Sequence, residues 1–237
     1  DYDYLTYINS SDKESLVKAL EVFKGEESNC ELIIAGYTRS DYYREFNQWL
    51  YEYDSLAYEK TAFFLSGLIY SLNKYGKDEK TWENRKINLY RGMTLSYIDL
   101  LPYENNVGKF ISIPNFTSST SKLSVAENFS QRKISAEKRK KNKKFSVILT
   151  IINNYQLDWV PNATNVTRIS KHQEEEERIF QPFTFYNVTK VDININDYIA
   201  DIQLETIGKK TILEEYLKEG GKLRFNLNEF IMEIINK

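Results

Sequence analysis

Glu174-Glu175-Glu176-Glu177-Arg178-Ile179-Phe180-Gln181-Pro182-Phe183-Thr184-Phe185 is the stretch on which the reading of this sequence turns. Four adjacent carboxylates repel one another and resist desolvation, so alone they belong to a solvated loop. Here they run into aromatic and β-branched residues, which predicts a strand from Ile179 to Val188 with acid at its mouth. A run that enters this strand extended sends Glu175 and Glu177 to one side, roughly 7 Å apart. Two carboxylates on one face can divide chemical labour.

Working outward, short runs of β-formers predict further strands at Ile87–Arg91, Val107–Ile113, Phe145–Ile152 and Ile199–Leu204. Leu123, Val125, Ala126 and Phe129 read as a short helix under a Ser-rich turn at Ser118–Ser121. The first third is helical in pattern. One helix starts at the capping box Ser11–Glu14 and ends near Gly25. A second is capped by Thr38, Ser40 or Asp41 and carries the stripe Tyr42, Phe46, Trp49, Leu50 and Tyr53. A third runs from about Leu56 to Tyr75, with Phe64, Leu65, Leu68, Ile69 and Leu72 inward and Gly76 as its stop. The tail Thr211–Lys237 has helical spacing around Gly220-Gly221. Helices first and strands afterwards indicate an α+β fold with largely antiparallel sheet.

The totals narrow the function. A chain of 237 residues with 41% hydrophobic content supports one sizeable core, and a single compact unit is expected. A net charge of −2 argues against a general nucleic-acid or membrane-surface binder. Arg132–Lys144 nevertheless holds a net +7, which leaves about −9 elsewhere; that strip is read as a solvated loop, with an acidic partner as the alternative. One cysteine, Cys30, and one histidine, His172, exclude an intramolecular disulfide and leave no set of metal ligands of that kind. His172 reads as a loop residue. No apolar run approaches a bilayer span, and the start, Asp1-Tyr2-Asp3, has neither a signal pattern nor an initiator Met, so a removed leader stays open. None of the nine glycines forms Gly-x-Gly, so a nucleotide would be held by something other than a Rossmann fingerprint or a P-loop.

Two more segments carry chemistry. In Leu89-Tyr90-Arg91-Gly92 the guanidinium suits phosphate or carboxylate, and the glycine lets a ligand approach the backbone. Alone this is a surface arginine at a strand end. In Asn115-Phe116-Thr117-Ser118-Ser119-Thr120-Ser121 a hydroxyl can cap the following helix, or orient a carboxylate. Taken in order, Tyr-Arg-Gly, then Phe-Thr-Ser-Ser-Thr-Ser with Ala126 and Phe129 downstream, then Glu-x-Glu opening a strand, the set resembles the Arg-Ser-Glu class of mono-ADP-ribosyltransferases of vertebrate and toxin type. The likeness extends to Tyr37-Thr38 ahead of the helix containing Asn47, and to Pro182 five residues after Glu177; it spans about residues 37 to 206.

The resemblance implies two antiparallel sheets enclosing an NAD cleft, with the N-terminal helices packed on them. It implies one domain over residues 1–206, helical to 80 and β-rich from 81, followed by a C-terminal extension, 207–237. NAD is the implied substrate and no metal is required. The register of the family selects Glu177 as the carboxylate that binds the ribose 2′-hydroxyl and stabilises charge on the sugar. Glu175 then accepts a proton from the nucleophile, an arginine of a protein substrate, while Glu174 and Glu176 are solvated neighbours. Ser119 holds Glu177, the extra Ser118 beside it being the alternative, with Thr120 and Ser121 completing the triplet at the cofactor. Arg91 binds the pyrophosphate side, Gly92 meets the nicotinamide amide, Phe129 stacks on its ring and Arg132 contacts phosphate. The implied protein is a monomeric transferase, with no nucleic-acid partner and no membrane span, and its single cysteine favours a cytoplasmic site of action, a secreted effector being the alternative. Rival readings are an NAD glycohydrolase with water as acceptor, and a silent binding module.

Overall fold

The computed structural model describes residues 29–39, 47, 48, 50, 52, 65, 67–75, 86–154, 163–170 and 172–208. The expected helix after Ser11, most of the Tyr42–Tyr53 stripe and the Thr211–Lys237 tail lie outside the described residues. The chain divides into two compact units. One comprises the chain to Thr81 with Ile113–Ser121 and Ala163–Phe183; the other comprises Trp82–Ser112, Lys122–Asn162 and Thr184 onward.

In the first unit, helix α1 (Asn29–Arg39) turns Ile34, Ala35 and Tyr37 inward. They join Leu50, Leu65, Leu68, Leu72, Phe116, Val166, Ile169 and Ile179 in one apolar core. Each fully buried Leu or Ile there contributes roughly 1.5–3 kcal/mol. Helix α1 was not expected, and it displaces a predicted cap: Thr38 lies in its last turn and donates its hydroxyl to the Ala35 carbonyl at 3.2 Å. Three strands stand in the order β3 (Thr117–Thr120), β6 (Glu177–Phe180), β5 (Thr164–Asn165), all antiparallel. The Thr164 hydroxyl donates to the Leu72 carbonyl at 3.1 Å, fastening β5 to the helical residues 67–75. Asn47 braces the start of β3. Its side-chain oxygen accepts the Phe116 N–H and its nitrogen donates to the Tyr37 hydroxyl, each at 3.0 Å.

The second unit contains β1 (Lys86–Leu95), α2 (Tyr97–Glu104), β2 (Phe110–Ile113), α3 (Leu123–Phe129), α4 (Ala136–Asn142), β4 (Phe145–Asn154), β7 (Thr184–Asn194) and β8 (Ile199–Thr206). Its strands stand in the order β2-β7-β8-β4-β1. Central β4 is buried along nearly its whole length, as expected of a strand covered on both faces. It pairs antiparallel with β1 and parallel with β8.

Several expectations change here. Within the second unit the parallel β4–β8 pair breaks the expected antiparallel pattern. Periodicity reports which faces are buried but not which edges are hydrogen-bonded. The strand expected at Val107–Ile113 shortens to β2, with Val107 making an isolated bridge to Val188. The long strand Ile179–Val188 is two strands, because Gln181–Phe183 turns the chain and Phe183 takes a left-handed φ of 58°. The Ser118–Ser121 turn is strand β3 through Thr120. Helix α2, capped reciprocally by Ser96 and Asp99, was missed. The basic strip is helix α4 and not a loop; Arg139 is buried and donates to the carbonyls of Asp197, Arg132 and Ile134, while Lys138, Lys140 and Lys141 face solvent.

Candidate active site

The acidic run does not enter its strand extended. Gln173–Glu175 form a turn of 3-10 helix, Glu176 is left-handed at φ 50° and ψ 50°, and β6 starts at Glu177. The expected strand spacing of Glu175 and Glu177 is therefore replaced by a bend. Like charges on consecutive residues separate better around a bend than along one face. Four positions of one residue type acquire four surroundings. Exposed Glu174 lies 3.4 Å from His172 Nδ1, and His172 is outside regular structure as expected. Glu175 is half-buried, and its carbonyl accepts the Thr120 hydroxyl. Glu176 is not a plain solvated neighbour, since its carboxylate accepts the Ser121 hydroxyl.

Glu177 is held at both oxygens. Ser118 donates to Oε1 at 2.7 Å and Ser170 donates to Oε2 at 3.1 Å. Hydroxyls donating to a carboxylate form charge-assisted bonds that fix its plane and favour its ionised form. The register explains the choice of serine. Thr120 faces Glu177 and Ser118 faces Ile179, so Ser118 shares Glu177's side of the ladder and Ser119 does not. Ser119 was expected to hold Glu177; instead its hydroxyl donates to the Arg178 carbonyl at 3.0 Å. The hydroxyl run does not cap α3 either, whose N-cap is Lys122 with no side-chain hydrogen bond. Ser118, the extra serine beside the triplet, is thus the one that meets Glu177, whereas sequence reasoning missed Ser170 altogether.

Burial holds the Glu175 carboxyl above the usual carboxylate range; the His172 ring opposes this, while the charges of Glu177 and Glu174 add to it. A higher pKa makes Glu175 a stronger proton acceptor near neutrality. The same shift has a consequence for stability. A carboxylate whose folded pKa is raised helps the fold below its unfolded pKa, and that help is lost as pH rises through the folded value. Glu175→Gln is therefore expected to melt higher than the parent near pH 7, with the gap closing as pH falls into the ordinary carboxylate range. Thermal melts of both proteins across pH 4 to 8 check this; a gap independent of pH would count against it.

In the second unit, β1 continues to Leu95, so Arg91 and Gly92 lie mid-strand and not at a strand end. A Cβ built on Gly92 would overlap the Ala126 carbonyl oxygen and lie 2.6 Å from its carbon and 2.8 Å from the Ser130 nitrogen. The close approach that requires glycine is therefore that of helix α3. Half-buried Arg91, opposite Leu149, points to the other side of β1 from α3. Phe129 ends α3 with 57% of its surface exposed. Arg132, expected at a phosphate, instead puts its guanidinium on Asp201, at 2.7 and 3.3 Å, and on the Ala200 carbonyl at 3.3 Å. Among the described residues no group of His, Cys, Asp or Glu could hold a metal ion, and no helix is long and apolar enough to cross a membrane.

No family model matches this sequence, and neither does any curated protein. Solved structures do. The ADP-ribosyltransferase Vis of Vibrio splendidus, in complex with agmatine, matches with a TM-score of 0.56 at 18% identity, over 89% of this chain and 93% of that one. Exoenzyme S from Pseudomonas aeruginosa, in complex with human 14-3-3 protein beta and bound to carba-NAD, gives 0.54 at 16%, over 96% and 94%. The C3 exoenzyme of Clostridium limosum gives 0.52 at 14%, over 83% and 94%. The chain has the ADP-ribosyltransferase fold. At such identities the likeness is one of backbone. The ADP-ribosyltransferase fold is thus reached here by a sequence that shares fewer than one residue in five with these toxins.

Proposed function

We propose that the protein is a mono-ADP-ribosyltransferase, which cleaves NAD at the bond between ribose and nicotinamide and passes ADP-ribose to an arginine of a protein substrate. One observation carries this reading: within the ADP-ribosyltransferase fold, the Glu177 carboxylate is half-buried and clamped at both oxygens by hydroxyls. So held, Glu177 accepts a hydrogen bond from the ribose 2′-hydroxyl and sets its charge against the positive charge that develops on the sugar, as carboxylates do in glycoside cleavage. Ser118 takes the positioning role first given to Ser119. Arg91 supplies the cation for the pyrophosphate, and the exposed Phe129 ring stacks on nicotinamide. Arg132 is left out of the cofactor site because Asp201 holds its guanidinium. Gly92 serves the packing of α3, its backbone remaining the partner proposed for the nicotinamide amide. The domain carrying this activity is proposed to span residues 1–206.

Glu175 is the proposed base for the acceptor. Its raised pKa supports that role, and the agmatine of the Vis complex, a guanidinium compound like the arginine side chain, supports arginine as the acceptor type. The protein is then an effector or toxin acting on a protein. Incubation with labelled NAD and a cell lysate tests the proposal: labelled protein supports transfer, nicotinamide release without labelling makes it a glycohydrolase, and neither makes it a binding module. Glu175→Gln is expected to retain most NAD cleavage while labelling falls by about tenfold or more, the usual scale for a lost general base. Equal loss of both would remove Glu175 from the acceptor step.

A further inference from the structure

We infer that Ser170 is a second positioning residue for the Glu177 carboxylate, acting on Oε2 as Ser118 acts on Oε1; the inference rests on the proposed role of Glu177. The contact is built by the core and not by a passing loop. Val166 and Ile169 are buried in the apolar cluster of the first unit. The N–H groups of Ile169 and Ser170 both reach the Val166 carbonyl, at 2.9 and 2.8 Å, which closes the turn. The Val166 N–H in turn donates to the Glu177 carbonyl at 3.0 Å. The turn bearing Ser170 is therefore fastened to the backbone of the very residue that its side chain contacts.

The direction of the hydroxyl is set as well. Ser170 is only 4% exposed, and its oxygen accepts the His172 N–H at 3.3 Å, while its proton goes to Glu177 Oε2 at 3.1 Å. A carboxylate gripped at one oxygen can still rotate about its last torsion, which is broad and shallow. Gripped at two, it has one plane. That is preorganisation of the charge the proposed reaction needs, set before substrate arrives.

The test compares Ser170→Ala and Ser170→Thr with the parent. Loss of one charge-assisted bond is expected to lower kcat for nicotinamide release about tenfold. KM for NAD should stay within about twofold, because the effect falls on the transition state. Ser170→Thr, which keeps the hydroxyl, should recover most of the rate. A second readout needs no NAD. The Glu177 carboxyl, followed by carbon-13 NMR and assigned by its absence in Glu177→Gln, should titrate at higher pH in Ser170→Ala than in the parent. Strands β3 and β5 bring no ionisable group to this carboxyl, β6 itself carries Arg178, the turn bearing Ser170 carries Arg168, which is paired with Glu31, and the 3-10 turn brings Glu174, Glu175 and the neighbouring His172 and Glu176, all retained in both variants. An unmoved titration, or a Thr variant as impaired as the Ala variant, overturns the inference. If the parent itself fails to cleave NAD, the proposed function fails while the titration still decides the role of Ser170.

Discussion

Glu177→Gln abolishes nicotinamide release and protein labelling together, lowering both by about two to four orders of magnitude, while the melting temperature stays close to that of the parent. The substitution removes a charge and almost no volume. The Gln oxygen can accept from one of the two serine hydroxyls that clamp this position, and its NH2 group can donate to the other, because a hydroxyl rotates to serve as donor or acceptor. The clamp survives, and only the electrostatic stabilisation of the reacting ribose is lost. Steady-state release of nicotinamide, paired with a thermal melt, separates this outcome from unfolding. Full activity in Glu177→Gln would remove the residue from the chemistry and leave only the backbone likeness to connect this chain with ADP-ribose transfer.

Gly92→Ala, by contrast, damages the fold. The added methyl would meet the carbonyl of Ala126 and the nitrogen of Ser130, the two backbone groups that close the last turn of α3 through a 2.9 Å hydrogen bond. Backbone cannot rotate away as a side-chain tip can, so α3 must shift off β1 or lose that turn. Overpacking of this kind costs about 1–3 kcal/mol and more where nothing gives. At about 2–4 °C per kcal/mol for a domain of this size, the melt should fall by about 2–12 °C. It should do so without NAD present, which separates a packing glycine from one kept only for ligand approach. An unchanged melting temperature would mean that α3 is free to move.

What was legible in the sequence follows from how each signal arises physically. The inward positions Leu65, Leu68 and Leu72, the helix at Leu123–Phe129 and the strands at Ile87, Phe145 and Ile199 were found because burial imposes a period on one chain segment at a time. The acidic run was recognised by its place in an ordered set of motifs, and Glu177 does meet a serine of the hydroxyl run. Which serine it meets was misread by one position, because four consecutive hydroxyls were taken as a turn. Read as a strand, their alternation puts Ser118 and Thr120 on the side of Glu177. Ser170 left no local mark, since its contact depends on a turn closed by Val166 and on β6, neither visible as a period. The Arg132–Asp201 pair was invisible for a related reason: the partners lie 69 residues apart, and a resemblance between motifs says nothing of such a pair. Helix α2 was hidden by Pro102 and by exposed Ile98, although Ser96 and Asp99 form a readable capping box.

The left-handed conformation of Glu176 reaches beyond its own residue. A string of four identical letters is degenerate within itself: only the residues that flank it tell its second member from its fourth. Curvature removes that degeneracy. By bending the string at its third member, the chain gives each carboxylate its own address, and a copying slip that shortened or lengthened the run would misdeliver every one of them while leaving composition and charge pattern almost untouched.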